Sequence, residues 1–239
     1  MGNRLLDRQA SLLEYLTSSA AIFGEGREAP LDQALHGIDP ALLRLEARFS
    51  YEKRLEKIAS VFPRTLEIMG SRAESALRAF VRACPPAEMS RLANGRQFCA
   101  FVSARWGNDP PYLADVMACE LARMVAVHAS EGRGPATDDE PRWRRAIRRR
   151  PGVVLLRCNH DIQSIFEQAA HNPSPPRRDT RLAVVVPPGA SQSRIVEVSP
   201  AVFDLLAALD SWADASALDG RAEELIGDLA DHALIEVRV

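Results

Sequence analysis

Cysteine and histidine are the side chains of this 239-residue chain with the widest chemical repertoire, and their spacing is the first thing to settle. Cys84, Cys99, Cys119 and Cys158 stand 15, 20 and 39 residues apart. No CxxC pair occurs, whereas protein zinc sites draw on closely spaced ligands. Four thiols in this pattern read as free and mostly buried. His36, His128, His160, His171 and His232 form neither HxH nor HExxH. The neighbours His160 and Asp161 invite a metal or acid–base reading. Adjacent side chains point in different directions on a helix or strand, however, and Asn159 and Asp161 serve equally well as caps for a short helix behind them. The chain has no GxSxG, no Walker loop and no GxGxxG. These residues therefore predict no catalytic group, no metal site and no cofactor in this chain.

The charged residues offer a second set of candidates. Glu120 borders an apolar helical face, which implies either an intramolecular salt bridge or a contact to a partner, since an unpaired buried carboxylate is costly. Six arginines fall between positions 142 and 150. Read as a helical turn, they bring Arg144, Arg145 and Arg148 to one side. They either bind phosphate or, as preferred here, pair with the acidic residues that follow. The segment RAEELIGDLAD has Arg221 against Glu223, Glu224, Asp228 and Asp231. A DNA-reading helix is normally basic, so this one argues for an extended peptide added to a strand edge instead.

The elements that must position these residues divide the chain. Residues 1–130 carry 16 basic and 15 acidic side chains, residues 131–150 carry 7 and 4, and residues 151–239 carry 7 and 13. The first part reads as an all-α bundle of five or six helices, punctuated by Asp39-Pro40, Pro63, Gly70-Ser71 and Pro85-Pro86. Its last helix is YLADVMACELARMVAVHA, with Leu113, Met117, Leu121, Met124 and His128 on one face. Residues 131–150 read as a linker with the Arg-rich segment. In the remainder, strands at 153–157, 181–187 and 193–198 precede helices near 200–210, at Trp212 and at 221–231, and a last strand at 233–238. The expected fold is α+β: an N-terminal helical bundle, then a small winged-helix-like domain. A hydrophobic content of 46% without an apolar run of the ~18–20 residues a span requires predicts a soluble, cytoplasmic protein.

At this point the sequence resembles a family. RFSYEKRLEKIASVFPRTLEIMG is similar to the "Y…n…l…FP.l..llG" pattern of the HvfC/BufC-type partner proteins, and NGRQFCAFV and YLADVMACELARMVAVHA look like the segments that follow it there. The likeness covers roughly residues 5–130. The second part looks like a RiPP recognition element, the PqqD-like module that binds leader peptides. Within the family the chain looks closest to partners built from a helical domain plus such an element, the arrangement found in 3-thiaglutamate biosynthesis. The resemblance implies a non-catalytic subunit that binds the leader of a ribosomally synthesised precursor peptide. It would present that peptide to a multinuclear iron-dependent oxidase of TIM-barrel fold for cysteine modification, the iron belonging to the oxidase and the two proteins forming a heterodimer. No nucleic acid and no membrane would be involved.

The alternative is a DNA-binding transcriptional regulator, and an independent enzyme ranks third. On the first reading the leader adds antiparallel to SRIVEV, bonding to the main chain of Ile195, Val196, Glu197 and Val198. Leu225, Ile226 and Leu229 either line the adjoining groove or fill the core, and Glu223, Glu224 and Asp228 form an acidic rim.

Overall fold

A computed structural model of the chain describes residues 3–24, 32–86, 88, 90–106, 109–131, 146–167, 174–215 and 222–238. Among these, ten helices and two three-stranded antiparallel sheets make a mixed α+β protein with the helical part first. The chain divides into two compact units between Trp106 and Gly107.

The first unit is helical: α1 Asn3–Thr17, α2 Ser19–Phe23, a 3-10 turn Gln33–Leu35, α3 Pro40–Val61, α4 Pro63–Met69, α5 Arg72–Ala83 and α6 Arg91–Trp106. Local chemistry sets the boundaries. Asp39 accepts a hydrogen bond from the Ala41 N–H with Pro40 in the first turn, which satisfies an orphan donor where proline costs nothing. Pro63 ends α3 and opens α4, and Gly70 at φ 55 closes α4. Ser71, expected as a cap, makes no side-chain cap bond. Helix α6 starts at Arg91 and holds Asn94 inside it, buried. Phe62, Phe80 and Phe98 are fully buried, their rings 5.3–5.5 Å apart in edge and tilted contacts.

The second unit contains α7 Leu113–Glu131, β1 Ala146–Arg149, β2 Val154–His160, α8 Gln163–Glu167, β3 Arg177–Val185, β4 Arg194–Glu197, α9 Pro200–Ala208, β5 Ala213–Asp214, α10 Ala222–Asp231 and β6 Ile235–Arg238. The strands β2, β3 and β4 correspond to those expected at 153–157, 181–187 and 193–198, and they form a meander in that order. Two Pro-Gly turns built alike join β1 to β2 and β3 to β4. Pro151-Gly152 and Pro188-Gly189 occupy the central positions, the glycines at φ 92 and φ 76, closed by Val153 N–H to Arg150 C=O and Ala190 N–H to Pro187 C=O. A positive φ at the residue after proline is the type II requirement that glycine meets without strain.

Two expectations are corrected here. Helix 113–131 packs on β2 and β3 within the second unit, not in the bundle. Of the face expected from the sequence, Leu113 and Met117 are fully buried, Leu121 and Met124 are half-buried and His128 is exposed; Asp115, Val116, Cys119, Ala122 and Ala126 are buried as well. Small side chains let a helix sit close on a sheet: a Cβ built on Gly152 would lie 3.1 Å from the Ala129 Cβ. The meander is thus covered twice. Leu182 and Val184 point to one face; Ala183 and Val185 point to the other, where they join Leu206, Ile226 and Leu229 in a core.

The second correction concerns the arginine run. Arg148 and Arg149 lie in β1, a strand rather than a helical turn, at the centre of the sheet β5-β1-β6. Arg144 and Arg145 fall outside the described residues. Arg148 pairs with Glu236 at 2.6 Å and lies 4.4 Å from the Trp212 ring centroid, Arg150 reaches Glu236 at 3.8 Å, and Arg149 pairs with Asp210. The segment near Trp212, expected to be helical, includes the two-residue strand β5. The last strand, β6, joins β1 and leaves the meander at three strands.

Candidate functional site

The meander has two edges, and the register decides what each exposes. Leu182, Ala183, Val184 and Val185 stand opposite Glu197, Val196, Ile195 and Arg194, and the Val198 N–H donates to the Arg181 C=O at 2.9 Å. In an antiparallel ladder, main-chain groups of alternate residues point to the same side. Val196 and Val198 therefore bond inward to β3, and the N–H and C=O of Ile195 and Glu197 point away from the sheet. The four-residue contact expected from the sequence reduces to these two. Among the described residues no strand pairs with β4 on that side. At the other edge, the same alternation turns Asn159 outward, and its N–H donates to Asp115 Oδ2 at 3.0 Å. The two edges thus differ: α7 supplies an acceptor to one, and the other keeps its row of donors and acceptors.

The side chains around the β4 edge are fixed by charge. Arg178 donates to both carboxylate oxygens of Glu197, at 2.7 and 2.9 Å, and to Asp161 at 2.7 Å. Its hydrogen bonds to Glu197 and then to Asp161 hold the Arg178 guanidinium protonated even more firmly than usual. Ile195, Val196 and Val198 are half-buried and Glu197 is exposed. Of the residues expected in the groove, Ile226 and Leu229 are buried in the core and Leu225 is packed against it. They fill the domain, as an amphipathic helix normally does. Glu224 and Asp228 are exposed on α10, which also holds Glu223; Arg221 lies outside the described residues.

His160 and Asp161 part company, as adjacent strand-end residues must. His160 Nδ1 lies 2.8 Å from Asp115 Oδ2, with both side chains largely buried, and the Tyr112 ring stands edge-on to the imidazole. Asp161 turns to Arg178, so its carboxylate serves an ion pair where a helix cap was expected. Asp115 gave no sequence signal beyond its place in the first turn of a helix. It is the residue that ties α7 to the end of β2. Glu120 is buried and has interactions, so it is not an isolated charge. Burial pushes the Cys119 and Cys158 thiols up to about 12, each also feeling a neighbouring acidic group: Cys158 for the former, Asp115 for the latter. Among the described residues no three His, Cys, Asp or Glu side chains cluster to hold a metal.

One surface feature belongs to the helical unit. Leu42, Leu45 and Phe49 are 52%, 46% and 46% exposed. Their spacing puts them on one face of α3. Leu5, Leu6 and Leu13 of α1 are also exposed. Among the described residues no helix is long and apolar enough to cross a membrane.

Compared with known proteins, the chain matches no family model, and no curated protein matches it.

Proposed function

We propose that this chain is a non-catalytic, cytoplasmic partner subunit that binds the leader of a ribosomally synthesised precursor peptide and presents it to a multinuclear iron-dependent oxidase of TIM-barrel fold for cysteine modification. The family resemblance supplies the biochemical setting, with 3-thiaglutamate biosynthesis as the nearest arrangement. The observation that carries the peptide-binding part is the open edge of β4. An extended leader can add there as a fourth strand, bonding to Ile195 and Glu197. The oxidase would dock on the helical unit, where Leu42, Leu45 and Phe49 give an exposed apolar stripe of the kind that marks interaction surfaces. Iron stays with the oxidase.

The two halves of the reading are tested separately. Proline at Ile195 removes an outward donor and leaves the β3–β4 ladder intact, whereas proline at Val196 removes an inward one. Titration of the full chain with the precursor peptide is expected to show at least a roughly tenfold loss of affinity for Ile195→Pro. Unchanged affinity in that variant, shown to be folded, places the peptide elsewhere. Leu45→Asp with Phe49→Asp is expected to abolish co-purification with the iron protein while peptide binding persists. Co-elution of that double variant with the oxidase rules out this docking face.

A further inference from the structure

The open edge of β4 has a cation at its start. Arg123 of α7 donates from Nε to Ser193 Oγ at 3.0 Å, and Ser193 immediately precedes β4. The guanidinium carbon lies 5.7 Å from the ring centroid of Phe166 in α8. Arg123 is half-buried. Its two Nη atoms carry four N–H groups; these have no acceptor among the described residues, and neither atom is sealed from solvent. No carboxylate among the described residues pairs with Arg123. The other end of the same edge differs, because Arg178 there is committed to Glu197 and Asp161.

The register fixes which residues of an added strand meet Arg123. Glu197 and Ile195 stand opposite Leu182 and Val184, so their side chains share the face on which α7 packs. Ser193, two residues before Ile195, reaches the same helix through its hydroxyl. In an antiparallel fourth strand, the residue opposite Ile195 and the one two positions later, opposite Ser193, point to that face as well. Directly opposed Cβ atoms lie about 4.5–5.5 Å apart. A carboxylate side chain opposite Ser193 therefore comes within reach of a guanidinium already bonded to the Ser193 hydroxyl, and the residue opposite the half-buried Ile195 is best apolar. Ser193 and Phe166 hold the guanidinium beforehand, so less side-chain freedom is lost when an acid binds. We infer that Arg123 is the specificity residue of this edge: it selects an extended peptide with an aspartate or glutamate two positions after an apolar residue. The inference rests on the peptide-edge reading and adds to it the charge that the peptide must carry.

The test uses the full chain as bait for a displayed library of random dodecapeptides, in parallel with Arg123→Gln and Ile195→Pro. The wild-type chain is expected to enrich an acidic residue two positions after an apolar one. Arg123→Gln is expected to keep the apolar preference and lose the acidic one, and Ile195→Pro to enrich neither. The dodecapeptide most enriched by the wild-type chain is then titrated by fluorescence anisotropy against its own version with the acid changed to the amide. The amide version is expected to bind about tenfold more weakly, and the difference is expected to vanish in Arg123→Gln. The wild-type comparison of acid with amide needs no change in the protein, so it decides the matter even where Arg123→Gln fails to fold. An acidic preference that survives Arg123→Gln, or acid and amide versions that bind alike while Ile195→Pro still abolishes binding, overturns this inference and leaves the edge reading standing. Enrichment of no peptide by the wild-type chain, or of the same peptides by Ile195→Pro, overturns both.

Discussion

The two units bury charge by opposite means. In the helical unit, Arg54 is held by two amides and a ring, with no internal counter-ion among the described residues. In the second unit, Asp115 meets His160 and a main-chain N–H, and Arg148 and Arg150 meet Glu236. Charges answered within the fold act as fasteners: Asp115 joins a helix to a strand end, and Glu236 joins β6 to β1. A charge left unanswered does not fasten anything that a neutral group could not, and its desolvation is a standing cost. The contrast separates charges met by an opposite charge from one held by neutral amides and a ring.

The largest expected effect concerns reactivity. With both thiols at about 12, Cys119 and Cys158 are thiolate to only about one part in ten thousand at pH 8, and they are buried besides. Labelling of the folded chain by a disulfide reagent at pH 8 should therefore stop at Cys84 and Cys99 of the helical unit, which are half-buried. The second-unit thiols should react about a thousandfold more slowly or not at all until the chain unfolds. Mass mapping of the labelled sites checks this; modification of Cys158 at the rate of Cys84 contradicts it. The sign of the pH dependence follows. A raised thiol pKa favours the folded state below the ordinary value near 8.5, and that advantage is lost as pH climbs from about 9 toward 12.

Much of the helical unit was legible because its boundaries rest on local chemistry. Asp39-Pro40, Phe62-Pro63 and Gly70 act through nearest neighbours, and each ends or begins a helix where the sequence predicts. The meander was legible too, from its short apolar runs and the Pro188-Gly189 turn between β3 and β4. The placement of α7 was not. Its apolar stripe is only half the buried face: Leu113 and Met117 are buried as expected, but so are the small residues Cys119, Ala122 and Ala126, which the large apolar side chains do not reveal. A signal did exist in β3. The run LAVVV does not alternate, and a strand without alternation is covered on both faces, so a further helix had to lie over it. The arginine run misled for a related reason: AIRR has no period long enough to tell a four-residue central strand from a helical turn. At the β4 edge, burial and position were readable, but which main-chain groups point outward depends on register, and that is fixed only by the partner strand.

Next in size is the internal polar node of the helical unit. Arg54→Met removes a cation that has no counter-ion but strands the buried Asn94 oxygen and unpairs the half-buried Gln97. Unsatisfied acceptors cost about 1–3 kcal/mol each, against which the relief of a desolvated charge is set. A net loss of about 2–3 kcal/mol in urea denaturation is expected. Restoration to wild-type stability when Asn94→Leu is added would show that the stranded amide, and not the lost charge, carries the cost. In the second unit the matching variant is Asp115→Ala, which strands the Asn159 N–H and releases His160, for about 2 kcal/mol. Asp115→Asn keeps one acceptor and is expected to lose about half of that. Equal losses in the two variants would mean that the carboxylate's charge toward His160, rather than its bond to the strand, is what holds α7.

The smallest effect tests whether a charge answered within the fold stabilises it at all. Glu236 and Arg148 have side chains 23% and 22% exposed, intermediate between a surface pair and a buried one. A pair of this kind is screened by solvent, and exposed pairs contribute about 0–1 kcal/mol. Glu236 also receives Arg150, at the longer distance of 3.8 Å, so removing its charge leaves two arginines close together without their shared partner. Arg148 keeps the Trp212 ring, to which Arg238 is also directed from 5.0 Å, and the cation–aromatic contact does not depend on Glu236. Glu236→Gln is therefore expected to cost about 1 kcal/mol at low ionic strength and less than half of that at 1 M salt, where the screening length falls to about 3 Å. A loss that does not change with salt would show that the carboxylate acts through hydrogen-bond geometry alone. In that case the internal pairing of this unit is a matter of shape, and the contrast with Arg54 lies in hydrogen bonding and not in charge.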